Sequence, residues 1–133
     1  AVPLLGICLG MQMLATAGAE GGQSEGLGLL PGIVAKLEQD GGSPRIPHIG
    51  WNELHQVRSI PLLKGIPTGT DFYFVHSYHF QPADSAMVVA TTPYCGGFTS
   101  VVAHPEMPVF GVQFHPEKSH PAGLRLLSNF LEL

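Results

Sequence analysis

Two short segments near opposite ends of the chain carry the residues that could do covalent chemistry. In residues 6–10, an apolar run ends on Cys8 between two glycines. A Gly-x-Cys-x-Gly pattern is typical of a sharp strand-to-helix turn, because glycine lets strand and helix approach each other beside a strained residue. Such a turn would expose the thiol, so Cys8 is a candidate nucleophile. The alternative is a small buried hydrophobe, and this segment alone does not decide between them.

The second segment contains His115 and Glu117. A cysteine nucleophile needs a base that takes or holds its proton, and the base needs a further group to fix its tautomer and orientation. The apolar residues 111–114 lead directly into His115, and Pro116 stiffens the turn to Glu117. We therefore take His115 as the candidate base and Glu117 as its orienting partner. Without Cys8, a strand-ending histidine beside a solvated carboxylate would be the simpler interpretation.

Metal binding is the other chemistry that seven histidines could support. However, no histidine pair has the i, i+4 spacing of a zinc helix, and there is no Cys-x-x-Cys partner. His104 and Glu106 repeat the local His-Pro-Glu pattern without a glycine-supported strand end, which predicts a surface turn. We expect neither a metal nor a cofactor.

The composition limits the class of protein. The chain has 133 residues, of which 44% are hydrophobic and 12% charged, as in one small globular domain. A net charge of −4 without a Lys or Arg cluster argues against nucleic acid and anionic membranes as partners. No apolar run approaches the roughly 18 residues of a membrane span, and no signal-like segment is present. We expect a cytoplasmic protein in which Cys8 and Cys95 are reduced, with Cys95 structural or incidental.

The elements that must position these groups indicate an α/β fold. An apolar strand that feeds a helix is typical of a sheet covered on both faces and flanked by parallel neighbours. The sequence begins Ala1-Val2-Pro3, and no candidate neighbours precede this strand. We therefore expect residues 1–133 to be the carboxy-terminal part of a single domain that lacks its amino-terminal strands.

The pattern of the remaining residues predicts mainly strands. The pattern predicts a helix over residues 11–17, a strand over 32–37 and irregular structure over 44–52. Four further β-like runs follow without intervening helices, which predicts an antiparallel or mixed part of the sheet. These runs are residues 72–80, 87–92, 98–104 and 109–115. A closing helix is predicted from Pro121, with Leu124, Leu127, Phe130 and Leu131 on one face.

Four runs together resemble the class I glutamine amidotransferases, in which a cysteine elbow and a late His-Pro-Glu form a Cys-His-Glu triad on a flavodoxin-like α/β sheet. The runs are residues 6–12, 47–52, 73–78 and 111–119. Within that family they are similar to the glutaminase subunits of imidazole glycerol phosphate synthases, which act in histidine biosynthesis. Met11, where the GMP and anthranilate synthase relatives commonly have His, and the Gly-Trp-Asn run favour this subgroup.

The resemblance implies a reaction. Cys8 attacks the side-chain amide of L-glutamine to give a γ-glutamyl thioester and ammonia, while His115 moves protons and Glu117 orients it. The N–H of Leu9 is implied as an oxyanion donor. The residues implied to contact bound glutamine are Gln12, Glu20, Ser77 and Tyr78.

The resemblance also implies a partner, a (β/α)8-barrel cyclase subunit that uses the ammonia to make imidazole glycerol phosphate and an aminoimidazole carboxamide ribotide. Exposed aromatic residues with a cation are common interface anchors, and each could instead be a packing or rim residue. The candidates are Trp51, Asn52, Tyr73 and Lys118.

Three alternatives to this reading stay open: another class I amidotransferase, a γ-glutamyl hydrolase, and a non-catalytic subunit that binds the partner. In the family, a loop expected upstream of Ala1 supplies the other oxyanion donor. We therefore expect the 133-residue chain by itself to be a weak or inactive glutaminase.

Overall fold

The structure is a computed structural model that describes residues 2–18, 24–39 and 41–133. Within these residues the helices are α1 (Leu9–Met13) and α2 (Ala122–Leu131), and short 3-10 helices span Pro61–Leu63, Ser85–Met87 and Pro116–Lys118. The strands are β1 (Leu4–Ile7), β2 (Ala17–Gly18), β3 (Ser24–Glu25), β4 (Gly32–Lys36), β5 (His48–Glu53), β6 (His55–Gln56), β7 (Asp71–His76), β8 (Tyr78–Pro82), β9 (Val88–Thr92), β10 (Phe98–Ala103) and β11 (Val109–Val112).

The main sheet has the strand order β1-β11-β10-β9-β6. β1 runs parallel to β11, whereas β11, β10, β9 and β6 pair antiparallel. All four residues of β11 are buried, as expected for a strand with neighbours on both sides and covered faces. The predicted mixed sheet is therefore confirmed, with its parallel pair at the strand that leads into Cys8.

The predicted strand over residues 72–80 is two strands in two different sheets. β7 pairs with β5, and β8 joins the sheet of order β3-β2-β4-β8. The break lies at Ser77, between His76 and Tyr78. The chain thus changes sheets beside the end of β7, which lies near Cys8.

β5 begins at His48, so the prediction of irregular structure over residues 44–52 was wrong from residue 48 onwards. β5 pairs with β7 over six consecutive positions, from His48 with His76 to Glu53 with Asp71. Pairing with an apolar neighbour strand outweighs the weak strand propensity of Gly50, which lies within β5.

Helix α1 begins earlier and ends earlier than the predicted residues 11–17. Its last turn tightens where Leu14 and Ala15 donate their N–H groups to residues three positions back. Thr16 then donates its N–H to the carbonyl of Gly32, and β2 pairs parallel to β4. Sheet pairing therefore ends the helix before its apolar pattern ends.

The closing helix starts as predicted, with Pro121 at its N-cap, but its buried face differs. Leu124 and Leu131 are exposed, whereas Leu126 and Asn129 are buried. The Nδ2 of Asn129 donates to the carbonyls of Leu62 and Lys64, at 2.9 and 2.8 Å. These bonds turn a polar residue inward and set the rotation of α2.

The larger hydrophobic cluster holds β7 against the main sheet and α2. It joins Phe72 and Phe74 of β7 to Val112 of β11 and Leu126 of α2, with Phe114 among them. Because β7 is anchored this way, one of its edges lies beside the carboxyl ends of β1 and β11.

Candidate active site

Cys8 lies between β1 and α1 in a strained backbone conformation, with φ 53° and ψ −108°. A positive φ is uncommon for a residue with a side chain, and such strain persists only where the surroundings enforce it. The sharp strand-to-helix turn expected from the Gly-x-Cys-x-Gly pattern is present.

The two glycines of this turn contribute differently. A Cβ at Gly6 would lie 2.6 Å from the carbonyl oxygen of Gly10, so only glycine lets β1 and α1 approach this closely. A Cβ at Gly10 would meet nothing within 4 Å. The close packing depends on Gly6, and the second glycine is not needed for space.

The parallel pair β1–β11 brings the second segment to Cys8. Ile7 pairs with Val112, and the N–H of Cys8 donates to the carbonyl of Val112 at 2.8 Å. Parallel strands end at the same edge of a sheet, so residues that follow Val112 emerge beside the residue that follows Ile7. His115 is three positions beyond Val112.

One edge of β7 receives both Cys8 and His115. The carbonyl of Tyr73 accepts the N–H of His115 at 2.9 Å, and the carbonyl of Val75 accepts the thiol of Cys8 at 3.8 Å. Carbonyls two residues apart on a strand point the same way and lie about 7 Å apart. The hydroxyl of Ser119 accepts the N–H of Tyr73 and donates to the carbonyl of His115, which fixes the turn to this edge.

Glu117 orients the imidazole of His115. Its Oε2 lies 2.9 Å from Nδ1 of His115. An ionised carboxylate can only accept, so Nδ1 carries the proton and the basic lone pair is at Nε2. The imidazole is mostly buried and the carboxylate is half exposed, with 21% and 50% of the side chains accessible. This is the tautomer that a general base for a thiol requires.

The repeated pattern at His104 has the opposite arrangement. Nδ1 of His104 accepts the backbone N–H groups of Glu106 and Met107, at 3.0 and 2.9 Å. The segment is an exposed turn between β10 and β11, as predicted. Two identical His-Pro-Glu triplets therefore differ in which ring nitrogen of the histidine carries the proton.

Gln113 is a site residue that was not predicted from the sequence. Its side chain is fully buried, and its Nε2 lies 3.5 Å from the sulfur of Cys8. The available signal was a polar residue inside the apolar run 109–114, directly before the segment of His115. Gln12 donates from Nε2 to Oε1 of Gln113 at 3.1 Å and to the carbonyl of Tyr78 at 3.2 Å.

The other residues expected to bind glutamine or its oxyanion lie at different places in the structure. Leu9, the first residue of α1, and Gln12 line a cavity of about 290 Å³, together with Met13, Gly18, residues 24–27 and Val34. Ser77 is half-buried and accepts the N–H of Leu37 through its carbonyl at 2.9 Å. Glu20 lies outside the described residues.

Two buried histidines, also missed, adjoin the site. Nδ1 of His76 donates to the carbonyl of Tyr78 at 2.8 Å, so its Nε2 accepts from Nδ1 of His48 at 2.9 Å. Burial, and then the neighbouring His76, lower the pKa of His48 to about 4. Burial lowers the pKa of His76 to about 4, against the opposing effect of its bond to Tyr78. Both imidazoles are therefore neutral at pH 7.

The four expected interface residues divide into two groups. Trp51 is 54% exposed and meets Tyr73 edge to face, with ring centroids 5.9 Å apart on paired strand positions. Lys118 is exposed on the 3-10 helix that spans Pro116–Lys118. The amide of Asn52 instead points inward and donates to the carbonyl of Pro93 at 2.9 Å and towards His48 at 3.3 Å.

Residues 2–18, 24–39 and 41–133 contain no group of three or more His, Cys, Asp or Glu side chains placed to hold a metal ion. None of the helices in this part of the chain is long and apolar enough to cross a membrane.

The amino-acid sequence of this chain is similar to those of known proteins. The family model "Glutamine amidotransferase class-I" matches residues 1–133. The "Imidazole glycerol phosphate synthase subunit HisH" of Moorella thermoacetica is 51% identical over 132 residues, which is 99% of this chain and 60% of that protein. The protein of the same name from Rhodospirillum rubrum is 50% identical over 130 residues, 97% of this chain and 60% of its own length. This chain thus spans about 60% of the length of these relatives.

Solved structures share the fold at lower identity. PurLQS from Thermotoga maritima has a TM-score of 0.70 at 20% identity, covering 98% of this chain and 61% of that one. A glutamine amidotransferase from the same organism has a TM-score of 0.60 at 23% identity, covering 98% of this chain and 45% of that one. These similarities confirm the expected α/β fold.

Proposed function

The chain belongs to the class I glutamine amidotransferase family, and from this premise we propose that it is the glutaminase subunit of an imidazole glycerol phosphate synthase. In this proposal it hydrolyses L-glutamine to glutamate and ammonia. The observation that carries the proposal is that the Cys8 thiol and the backbone N–H of His115 bond to two carbonyls on one edge of β7, while Glu117 lies against the ring of His115. Relatives about 50% identical and named as this subunit favour it over other members of the family.

The proposed reaction begins with proton transfer from the thiol of Cys8 to Nε2 of His115. The thiolate attacks the amide carbon of glutamine, and the N–H of Leu9 stabilises the oxyanion that forms. The imidazolium gives its proton to the departing ammonia, which leaves a γ-glutamyl thioester on Cys8. Nε2 of His115 then deprotonates a water molecule, whose attack releases glutamate and restores the thiol. Glu117 keeps the proton on Nδ1 throughout and stabilises the imidazolium.

The cavity beside Leu9 and Gln12 is the proposed glutamine site. It adjoins the residue that follows the nucleophile, so a glutamine side chain placed there would present its amide to Cys8. We propose Gln12, Glu20, Ser77 and Tyr78 as contacts to the substrate.

The partner in this proposal is a (β/α)8-barrel cyclase subunit that consumes the ammonia to make imidazole glycerol phosphate and the carboxamide ribotide. The exposed Trp51 and the half-buried Tyr73, with Lys118, supply the aromatic area and the cation that interface anchors need. Asn52 would act indirectly by holding β5, because its amide already bonds to the carbonyl of Pro93. The proposed location is the cytoplasm, where Cys8 and Cys95 would stay reduced.

The test is glutamate release from glutamine by the full-length gene product, with and without the cyclase subunit and its nucleotide substrate. We expect hydrolysis that rises when both are added, and we expect Cys8→Ala to abolish it while Cys95→Ala retains it. Residues 1–133 alone should be much less active than the full-length gene product. Equal turnover of longer γ-glutamyl peptides without a partner would indicate a γ-glutamyl hydrolase instead. Partner binding without any hydrolysis would indicate a non-catalytic subunit.

A further inference from the structure

A chain of hydrogen bonds with a fixed direction ends on the sulfur of Cys8. It starts at the carbonyl of Tyr78, which can only accept, so the group of Gln12 that lies 3.2 Å away must be its NH2. The same NH2 lies 3.1 Å from the Oε1 of Gln113. The other end of the Gln113 amide, its NH2, is therefore the group that faces the sulfur at 3.5 Å.

Because Gln113 is buried, a missing hydrogen bond at either end of its amide would cost free energy. Gln113 is fully buried, and a buried amide must find partners for both its donor and its acceptor. Gln12 satisfies the acceptor, and Cys8 receives the donor. If the Gln113 amide were reversed, its NH2 would face the NH2 of Gln12, and its oxygen would face the sulfur. The backbone carbonyl of Tyr78 thus determines which end of Gln113 meets the thiol.

The sulfur lies between two unlike groups. The carbonyl of Val75 accepts a proton from the thiol form, at 3.8 Å. The NH2 of Gln113 donates, and it therefore favours the thiolate form. A thiolate at Cys8 would lose the first interaction and keep the second, so Gln113 selects the reactive state and holds the sulfur in place.

We propose that Gln113 is a positioning residue that holds the sulfur of Cys8 through its side-chain NH2, and that Gln12 orients Gln113 for this role. The proposal rests on the proposed function, in which Cys8 is the nucleophile. It assigns Gln12 a task that operates before any glutamine binds.

The test measures alkylation of Cys8 by iodoacetamide across pH, on the full-length gene product and without glutamine. Mass spectrometry of separate peptides reports Cys8 and Cys95 independently. Burial raises the pKa of the Cys95 thiol, so its slow alkylation is a reference within the same molecule. The variants are Gln113→Met and Gln12→Met. The matched control is Gln56→Met, which removes a side-chain bond to the carbonyl of Ile66.

We expect Gln113→Met to slow alkylation of Cys8 at pH 7 by about threefold to tenfold, with a smaller change at high pH, because the thiolate loses a donor. Gln12→Met should produce a smaller slowing in the same direction. Gln56→Met should leave Cys8 unchanged, and Cys95 should react alike in all proteins. In glutamine hydrolysis, Gln113→Met should lower kcat while KM stays near that of the unsubstituted protein.

An unchanged pH profile of Cys8 in Gln113→Met would overturn the proposal. If that variant does not fold, Gln12→Met decides: slower alkylation of Cys8 supports the proposal and unchanged alkylation overturns it. Failure of the proposed function can be distinguished from failure of this proposal. If the positioning role is correct, a protein without glutaminase activity would still show the alkylation effect.

Discussion

The N–H of Cys8 donates to the carbonyl of Val112 at 2.8 Å, and this bond joins the segment of Cys8 to the segment of His115. Because β1 and β11 are parallel neighbours, the residues after Val112 leave the sheet on the same side as the thiol. Gln113 and His115 are two of these residues: the side chain of Gln113 donates to the sulfur, and the N–H of His115 bonds to the same edge of β7 as the thiol. The geometry of the site is therefore set by strand pairing in the main sheet.

The tight packing at the elbow predicts unequal effects of two glycine substitutions. Gly6→Ala should destabilise the protein by at least about 2 kcal/mol, because its Cβ meets backbone atoms that cannot move aside. Gly10→Ala is the matched control and should change stability by less than about 1 kcal/mol, in the stabilising direction, since it adds a helix former in open space. Urea unfolding of the two variants measures both values. Equal losses would show that the close approach at Gly6 is not what holds the elbow.

The contact between Glu117 and His115 predicts an effect on the chemical step. Glu117→Gln should lower kcat for glutamine hydrolysis by about tenfold to a hundredfold, because a neutral amide can also donate to Nδ1 and does not stabilise the imidazolium by charge. Glu106→Gln, in the second His-Pro-Glu triplet, should leave kcat unchanged, since His104 Nδ1 is held by backbone N–H groups. Steady-state kinetics of glutamine hydrolysis by both variants measures these two kcat values. A kcat near that of the unsubstituted protein in Glu117→Gln would remove Glu117 from the mechanism.

The buried pair of His48 and His76 predicts that stability falls in weak acid. Each has a folded-state pKa of about 4, below the ordinary value of 6.5. Between these values the unfolded chain binds more protons than the folded protein, so stability is full above about pH 6.5 and falls towards pH 4. We expect a loss on the order of 2 kcal/mol from each histidine between pH 7 and pH 5, and therefore up to about 4 kcal/mol from the pair.

Urea unfolding at several pH values measures this loss. His76→Gln should flatten the pH dependence, whereas His55→Gln, at an exposed position, should not. A dependence that is equally steep in His76→Gln would assign the effect to other groups.

The exposed face of Trp51 predicts a contribution to partner binding. Trp51→Ala should weaken binding of the cyclase subunit by about 2 kcal/mol or more, as is usual for a central aromatic anchor. Val57→Ala removes a comparably exposed apolar residue from outside the β5–β7 pair and should have little effect. Isothermal titration of each variant with the cyclase subunit gives the two affinities. Unchanged binding by Trp51→Ala would place the interface elsewhere.

Local chemistry made part of this site predictable. A cysteine between glycines after an apolar run specifies a strained turn, and the turn is present with Cys8 at φ 53°. The Pro116 turn placed Glu117 within reach of His115, since only two positions separate them. The α/β class and the mixed sheet were also predictable, because the apolar runs and their spacing along the sequence are local signals of strands.

The remainder depended on which strands pair, and this is not a local property. β5 forms because β7 lies beside it, although Gly50 within it favours a turn. The burial of Gln113 and Asn129 depends on donors and acceptors far away in the chain, which hydrophobic periodicity does not register. A polar residue inside an apolar run is the one sequence signal that both cases share.

The most direct test of the central claim, that Cys8 is a nucleophile served by His115, is mass spectrometry of the full-length gene product quenched in acid while it hydrolyses glutamine with the cyclase subunit present. We predict a γ-glutamyl adduct on the peptide that contains Cys8, and its loss in Cys8→Ala and in His115→Asn. Glutamate release at an undiminished rate by Cys8→Ala, or an adduct on Cys95 and none on Cys8, would contradict the account.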